Sequence, residues 1–212
     1  MEFITGFVSF VLHIDHHLGG ILQQYGAWSY ALFFAIIFCE TGLVITPFLP
    51  GDSLLFALGA FAGAGDLNIM ILAGSLMAAA ILGNTVNYCV GKYCGQWLLH
   101  LGGKGLIKQA HLDKTHAFYE KYGAKTLVIT RFVPIVRTIA PFVAGLGTMK
   151  KRTFFFYNIA GGLLWVGLFV FGGYFLGTTA FAKKYFSEIV MAIIVISVLP
   201  VVIEVWRHRK KK

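Results

Sequence analysis

Apolar residues dominate four long stretches of this chain: 28 to 64, 67 to 99, 126 to 149 with 153 to 182 behind it, and 186 to 206. The segments 69–95, 153–178 and 187–206 each suit a helix of roughly 20 or more residues, which at 1.5 Å rise crosses a hydrocarbon layer with some tilt. The other two stretches are interrupted. In 28–64 the piece TPFLPGD brings Pro47, Pro50 and Gly51 into mid-stretch, and 126–149 carries Pro134 and Pro141 with Gly145 near its end. A proline removes a backbone donor, and at bilayer depth the freed backbone is tolerated only where protein or water re-satisfies it. Each interrupted stretch therefore predicts a broken, re-entrant helical hairpin, with these six residues at the breaks. Between them, 104–125 sets Leu106, Ile107, Leu112, Phe118 and Tyr122 among charges, the pattern of a helix lying on a membrane surface or of a plain connector.

The interrupted stretches read as copies of one another. A shift of 82 residues places Ala62-Gly63 on Ala144-Gly145, and Gly91 and Gly95 on Gly173 and Gly177. Each half becomes a broken hairpin followed by a spanning helix rich in small residues, the sequence sign of a transporter-like repeat. The expected fold is all-α and polytopic, one membrane domain over residues 1–212 with two inverted repeats and a C-terminal transmembrane helix.

Composition supports a membrane class. The chain is 58% hydrophobic and 13% charged over 212 residues, with mean hydropathy +0.75, more apolar surface than a water-soluble core of this size can hide. No Lys or Arg precedes Lys92, so residues 1–91 hold five acids and all 18 basic residues follow. Under the positive-inside rule, the lysines of 104–125, the Lys150-Lys151-Arg152 cluster and the RHRKKK tail are cytoplasmic. The second hairpin then opens to the cytoplasm and the first to the outside. Lys183 and Lys184 mildly oppose this orientation. The N-terminal segment lacks a basic n-region and a small-residue cleavage site, so it reads as an uncleaved helix in or across the interface. Cys39, Cys89 and Cys94 read as packed thiols.

The candidate chemistry lies at the breaks. Arg131 and Arg137 flank Pro134, while Glu40 and Asp52 flank TPFLPGD. An intramembrane arginine is costly unless it faces a polar cavity or an anion, and its planar fork suits phosphate or carboxylate. A carboxylate in the same surroundings is neutral, paired with a cation or facing water. If the hairpins meet at mid-membrane, two acids and two bases surround one site. A structural ion-pair network is the competing reading. Asn84 and Asn87 line a cavity or bridge helices, and Gly161-Gly162 favours close helix packing. His13, Asp15, His16 and His17 have no geometry for a metal, because adjacent histidines point to different helix faces. Ser53 stands without any hydrolase or nucleotide-binding pattern, so no enzyme activity, metal, cofactor or nucleic-acid partner is expected.

At FCETGLVITPFLPGDSLLF and TRFVPIVRTIAPFVAGLG the chain strongly resembles the bacterial DedA family, whose domain is shared with the SNARE-associated or VTT membrane proteins; LDKTHAFYEKYG, YNIAGGLLW and LPVVIEVWRH extend the likeness. The resemblance implies two opposed re-entrant hairpins in the bacterial inner membrane, and a role in moving lipids across or between leaflets. It implies importance for the acids at Glu40 and Asp52 and for the arginines at Arg131 and Arg137. It also implies links to the undecaprenyl phosphate carrier, to phospholipid translocation, to the proton gradient and to envelope homeostasis. The expected function is a proton-linked transporter or flippase of an anionic lipid phosphate. Glu40 and Asp52 would carry the coupling proton, Arg131 and Arg137 would bind the phosphate, and a homo-oligomer is possible. A general phospholipid scramblase and a non-transporting membrane scaffold are the alternatives.

Overall fold

The computed structural model describes residues 24–43, 51–101, 119–147 and 149–179, with a few isolated positions beside them. Pro47, Pro50, the histidine cluster, nearly all of 187–206 and most of 104–125 lie outside the described residues. Those described form helices and turns without a strand. In chain order they are α1 (Trp28–Gly42), α2 (Gly51–Ala64), α3 (Ile69–Leu101), the single-turn α4 (Thr126–Ile129), α5 (Pro134–Leu146) and α6 (Lys151–Gly177), with short 3-10 turns at Gly123–Lys125 and Thr130–Phe132.

Among the described residues two helices are long and apolar enough to cross a membrane, with Ile69–Gly95 and Lys151–Gly177 each covering 27 residues at a mean hydropathy of 1.9. They begin and end close to the expected 69–95 and 153–178, except that α3 runs on to Leu101. Their outer faces carry Met70, Tyr93, Phe156, Leu168 and Phe175, all exposed. Such a dense apolar exterior suits lipid better than water. By contrast α1, α2 and α5 have 15, 14 and 13 residues, about 20 Å each at helical rise and short of the hydrocarbon thickness of roughly 30 Å.

Local chemistry fixes the helix ends. Gly65, at φ +100°, closes α2: its N–H donates to Ala62 O at 3.2 Å and the Asp66 N–H donates to Phe61 O at 3.1 Å. That pattern satisfies terminal carbonyls and requires a residue at ease with positive φ. Three residues on, the Asn68 side-chain oxygen caps α3 by accepting from the N–H groups of Met70 and Ile71 at 3.0 and 3.2 Å. Before α5, Val133 is extended (φ −119°, ψ 102°) and Pro134 takes the first helical turn. A residue preceding proline is driven out of the α region, and proline costs no hydrogen bond at a helix start. The expected break at Pro134 is thus located at Val133. The breaks expected at Pro141 and Gly145 are not where the helix stops, since α5 continues through both to Leu146.

The helices pair crosswise. α2 packs along α6 and α5 along α3, while α1 lies on α3 and α4 on α6. The close approaches depend on glycine: a Cβ on Gly91 would collide with the Phe142 carbonyl of α5, one on Gly173 with the Phe56 carbonyl of α2, and one on Gly145 with the Tyr88 carbonyl of α3. Gly91 and Gly173 are the 82-residue partners of the sequence pattern, and each brings a long helix against a short one. The core beside them is filled by Phe33, Ile37, Leu55, Leu58, Leu72 and Trp165.

Candidate functional site: a buried four-charge cluster

The break between α1 and α2 places two acids at facing helix ends. Glu40 comes from the last turn of α1, and Asp52 stands in the first turn of α2, where the helix dipole favours a negative charge. A side chain at Gly51 would overlap the Glu40 carboxyl, so glycine here leaves the space that the acid occupies. The break before α5 places the arginines in the same way, with Arg131 in the 3-10 turn Thr130–Phe132 and Arg137 in the first turn of α5.

All four meet. Arg137 forks between the acids: Nη1 donates to Asp52 Oδ1 at 2.8 Å and Nη2 to Glu40 Oε1. The four side chains belong to residues only 1% to 8% exposed, so the ion pairs are held in low dielectric, where removing one partner is far costlier than at a surface. Arg131 is held differently. Its Nη2 donates to Asn158 Oδ1 at 2.7 Å and to the Asn158 backbone oxygen at 3.2 Å, while its Nε has no hydrogen-bond partner among the described residues. No carboxylate is paired with it among the described residues.

Trp165 completes the cluster. Its indole N–H donates to the same Asp52 Oδ1 at 2.9 Å, and its ring faces both guanidiniums, with Cζ of Arg131 and Arg137 at 5.9 and 5.4 Å from the centroid. These distances suit cation–π attraction. Asn158 in turn donates to Ile81 O at 3.0 Å and to Thr85 Oγ1 at 3.2 Å on α3, which orients its oxygen toward Arg131. Glu40, Thr41, Asn84, Arg131, Arg137, Thr138 and Trp165 line a small cavity with room for about one water molecule. Asn87 lies beside it, donating to Thr138 O at 2.7 Å and Thr41 O at 3.3 Å and so tying α3 to both α1 and α5.

Of the residues expected from sequence, Glu40, Asp52, Arg131 and Arg137 are thus brought together. Gly51 borders the site at Glu40. Pro141 and Gly145 belong to the α5 packing surface, and the side chain of Pro134 lies outside the described set. Two participants were missed, Asn158 and Trp165, and Gly161-Gly162 was read only as helix packing. Asn158 and Trp165 are seven residues apart, two helical turns on one face, and the two glycines lie between them. A Cβ on Gly161 would stand 2.9 Å from Arg131 Nε, and one on Gly162 would stand 3.6 Å from Arg131 Nη2. The phrase YNIAGGLLW is therefore a cradle for Arg131.

Comparison with known proteins agrees with this geometry at the level of family. The VTT domain profile matches residues 49–175. The chain is 50% identical over 212 residues to Protein DedA of Escherichia coli K12, covering 99% of this chain and 97% of that protein. It is 39% identical over 171 residues to an uncharacterized membrane protein of Mycobacterium leprae, covering 81% and 77% respectively. Against the inner membrane protein YqjA of Escherichia coli K12 the identity is 36% over 184 residues, covering 84% and 79%. No solved structure matches the chain. With buried charges in an apolar helical frame and these relatives along nearly its whole length, the chain belongs to the DedA family of membrane proteins.

Proposed function

We propose that this protein moves an anionic, phosphate-bearing lipid between the leaflets of the bacterial inner membrane, with a polyprenyl phosphate such as undecaprenyl phosphate as substrate, and that proton exchange at Glu40 and Asp52 drives or gates the movement. The observation that carries the reading is the cluster itself. Arg131 is buried in an apolar frame with no carboxylate on it among the described residues, Arg137 is released when an acid is protonated, and a lipid phosphate brings both an anion and a tail into the bilayer. A water-soluble anion would need a continuous polar path, and the cavity lined by Glu40, Arg131, Arg137, Thr41, Asn84, Thr138 and Trp165 has room for about one water molecule.

In this reading α1 with α2, and the 126–146 segment, are re-entrant hairpins that enter from opposite sides and meet at the charge cluster. The crosswise pairing, with Gly91 and Gly173 in matching roles 82 residues apart, supports an inverted repeat. The chain is multi-pass with its basic C-terminus in the cytoplasm, as its one-sided charge suggests. Protonation of a carboxyl weakens its hold on Arg137 and exposes that guanidinium to the incoming phosphate, while Arg131, whose partners among the described residues are neutral, supplies the second contact.

Lipids that remain with the purified protein test the assignment. Mass spectrometry of wild-type preparations is expected to find lipid phosphates enriched over their membrane abundance, and Arg131→Ala to lose that enrichment. Equal lipid profiles for the two proteins would contradict the phosphate assignment.

A further inference from the structure

We infer that Trp165 divides the labour between the two acids: by donating to the Asp52 oxygen that Arg137 also grips, it keeps Asp52 a fixed anion and leaves Glu40 as the group that takes up and releases the proton. The division deepens the proton-linked reading above and rests on it for its role in transport.

The two carboxyls differ in what surrounds them. Asp52 Oδ1 receives two side-chain donors, Arg137 Nη1 at 2.8 Å and Trp165 Nε1 at 2.9 Å, and Asp52 stands at the N-terminus of α2. Each of these contacts favours the charged form. Glu40 has Arg137 on Oε1, but Oε2 is buried without a hydrogen-bond partner among the described residues. An anionic oxygen left bare in low dielectric is costly, and a proton on it removes the cost. Glu40 also lines the cavity, whereas Asp52 does not.

The neighbours on every packed element fit this division. α1 contributes Glu40, α2 contributes Asp52, α5 contributes Arg137, and the turn before α5 contributes Arg131. Among the described residues, α3 and α6 bring the neutral Asn84, Thr85, Asn87, Asn158 and Trp165 to the cluster. With both acids ionised the two guanidiniums balance them. When water delivers a proton to Glu40 Oε2, the cluster gains one positive charge, the Glu40–Arg137 attraction falls to that of an ion with a neutral acid, and Arg137 Nη2 becomes available to one anionic oxygen of the substrate. Loss of the proton restores the ion pair and expels the anion. Trp165 is a positioning residue here: it acts through Asp52 and need not touch the lipid.

Infrared spectroscopy of the full-length protein in vesicles without added substrate reads protonated carboxyl groups directly. In wild-type protein carrying carboxyl-13C glutamate, the buried protonated-carboxyl band is expected to shift to lower frequency. Carboxyl-13C aspartate should leave it in place. Glu40→Gln should abolish the band and Asp52→Asn should retain it. Trp165→Phe, which keeps a ring against the guanidiniums and removes the N–H, is expected to draw the aspartate-labelled carboxyl into the titration; a merely structural tryptophan would not change which label moves. A band that follows the aspartate label in wild-type protein, or a Trp165→Phe spectrum and titration identical to wild type, would overturn the assignment. Because the labels are read in unmutated protein, misfolding of a variant does not decide the outcome. Because no lipid movement is measured, failure here leaves the transport reading standing, and failure of transport leaves the band assignment standing.

Discussion

One guanidinium, Arg137, holds two buried carboxylates, so Arg137→Ala strands two anions at once. It is expected to destabilise the protein by about 3–5 kcal/mol, measurable as a lowered thermal midpoint in detergent, and Arg137→Ala combined with Glu40→Gln should recover part of the loss. Among the described residues the partners of Arg131 are neutral, Asn158 and the Trp165 ring. Arg131→Lys is accordingly expected to leave the protein folded in the membrane and still impair lipid movement, because lysine lacks the planar fork that engages two oxygens. A fully active lysine variant would mean that a point charge is enough. The four charged residues were readable in the sequence because intramembrane charge is expensive and rare. Asn158 and Trp165 were not, since neither carries a charge, and their shared face matters only once Arg131 is known to lie against it. Gly161 and Gly162 were legible as small residues, but what they make room for is a side chain distant in sequence.

At the scale of elements, the apolar runs and the prolines carried much of the information, and the errors lie where neighbouring chain overrides a local rule. Pro134 begins a helix because Val133 is extended before it. Pro141 does not end one: it offers no N–H to the Arg137 carbonyl, yet the segment stays helical where it packs along α3. The glycine pattern was visible, but not which helix each glycine would face, because α2 pairs with α6 rather than with its sequence neighbour α3. Gly91→Ala and Gly173→Ala are each expected to lose about 1–3 kcal/mol through overpacking against a helix carbonyl. Gly172→Ala, which meets nothing within 4 Å, should be neutral or slightly stabilising. Thermal unfolding of the three variants side by side distinguishes close packing from a general intolerance of Ala in these helices.

For the whole molecule, the membrane class and the family were plain in the hydropathy and in the motifs at the breaks. Orientation rests on the uneven charge, with every basic residue from Lys92 onward. In a background lacking Cys39, Cys89 and Cys94, a cysteine in place of exposed Asp66 is expected to react with impermeant label from outside the cell, and one in place of exposed Lys150 only from the cytoplasm. Labelling of both from one side would remove the inverted arrangement. The central claim, that the buried charge cluster carries a lipid phosphate across the bilayer, is tested most directly in reconstituted vesicles by the rate at which undecaprenyl phosphate or an anionic phospholipid changes leaflet. The account predicts faster exchange with the wild-type protein than with an equally well inserted Arg131→Ala variant, and a response of the wild-type rate to an imposed proton gradient; equal rates for the two proteins across a panel of lipid phosphates would contradict it.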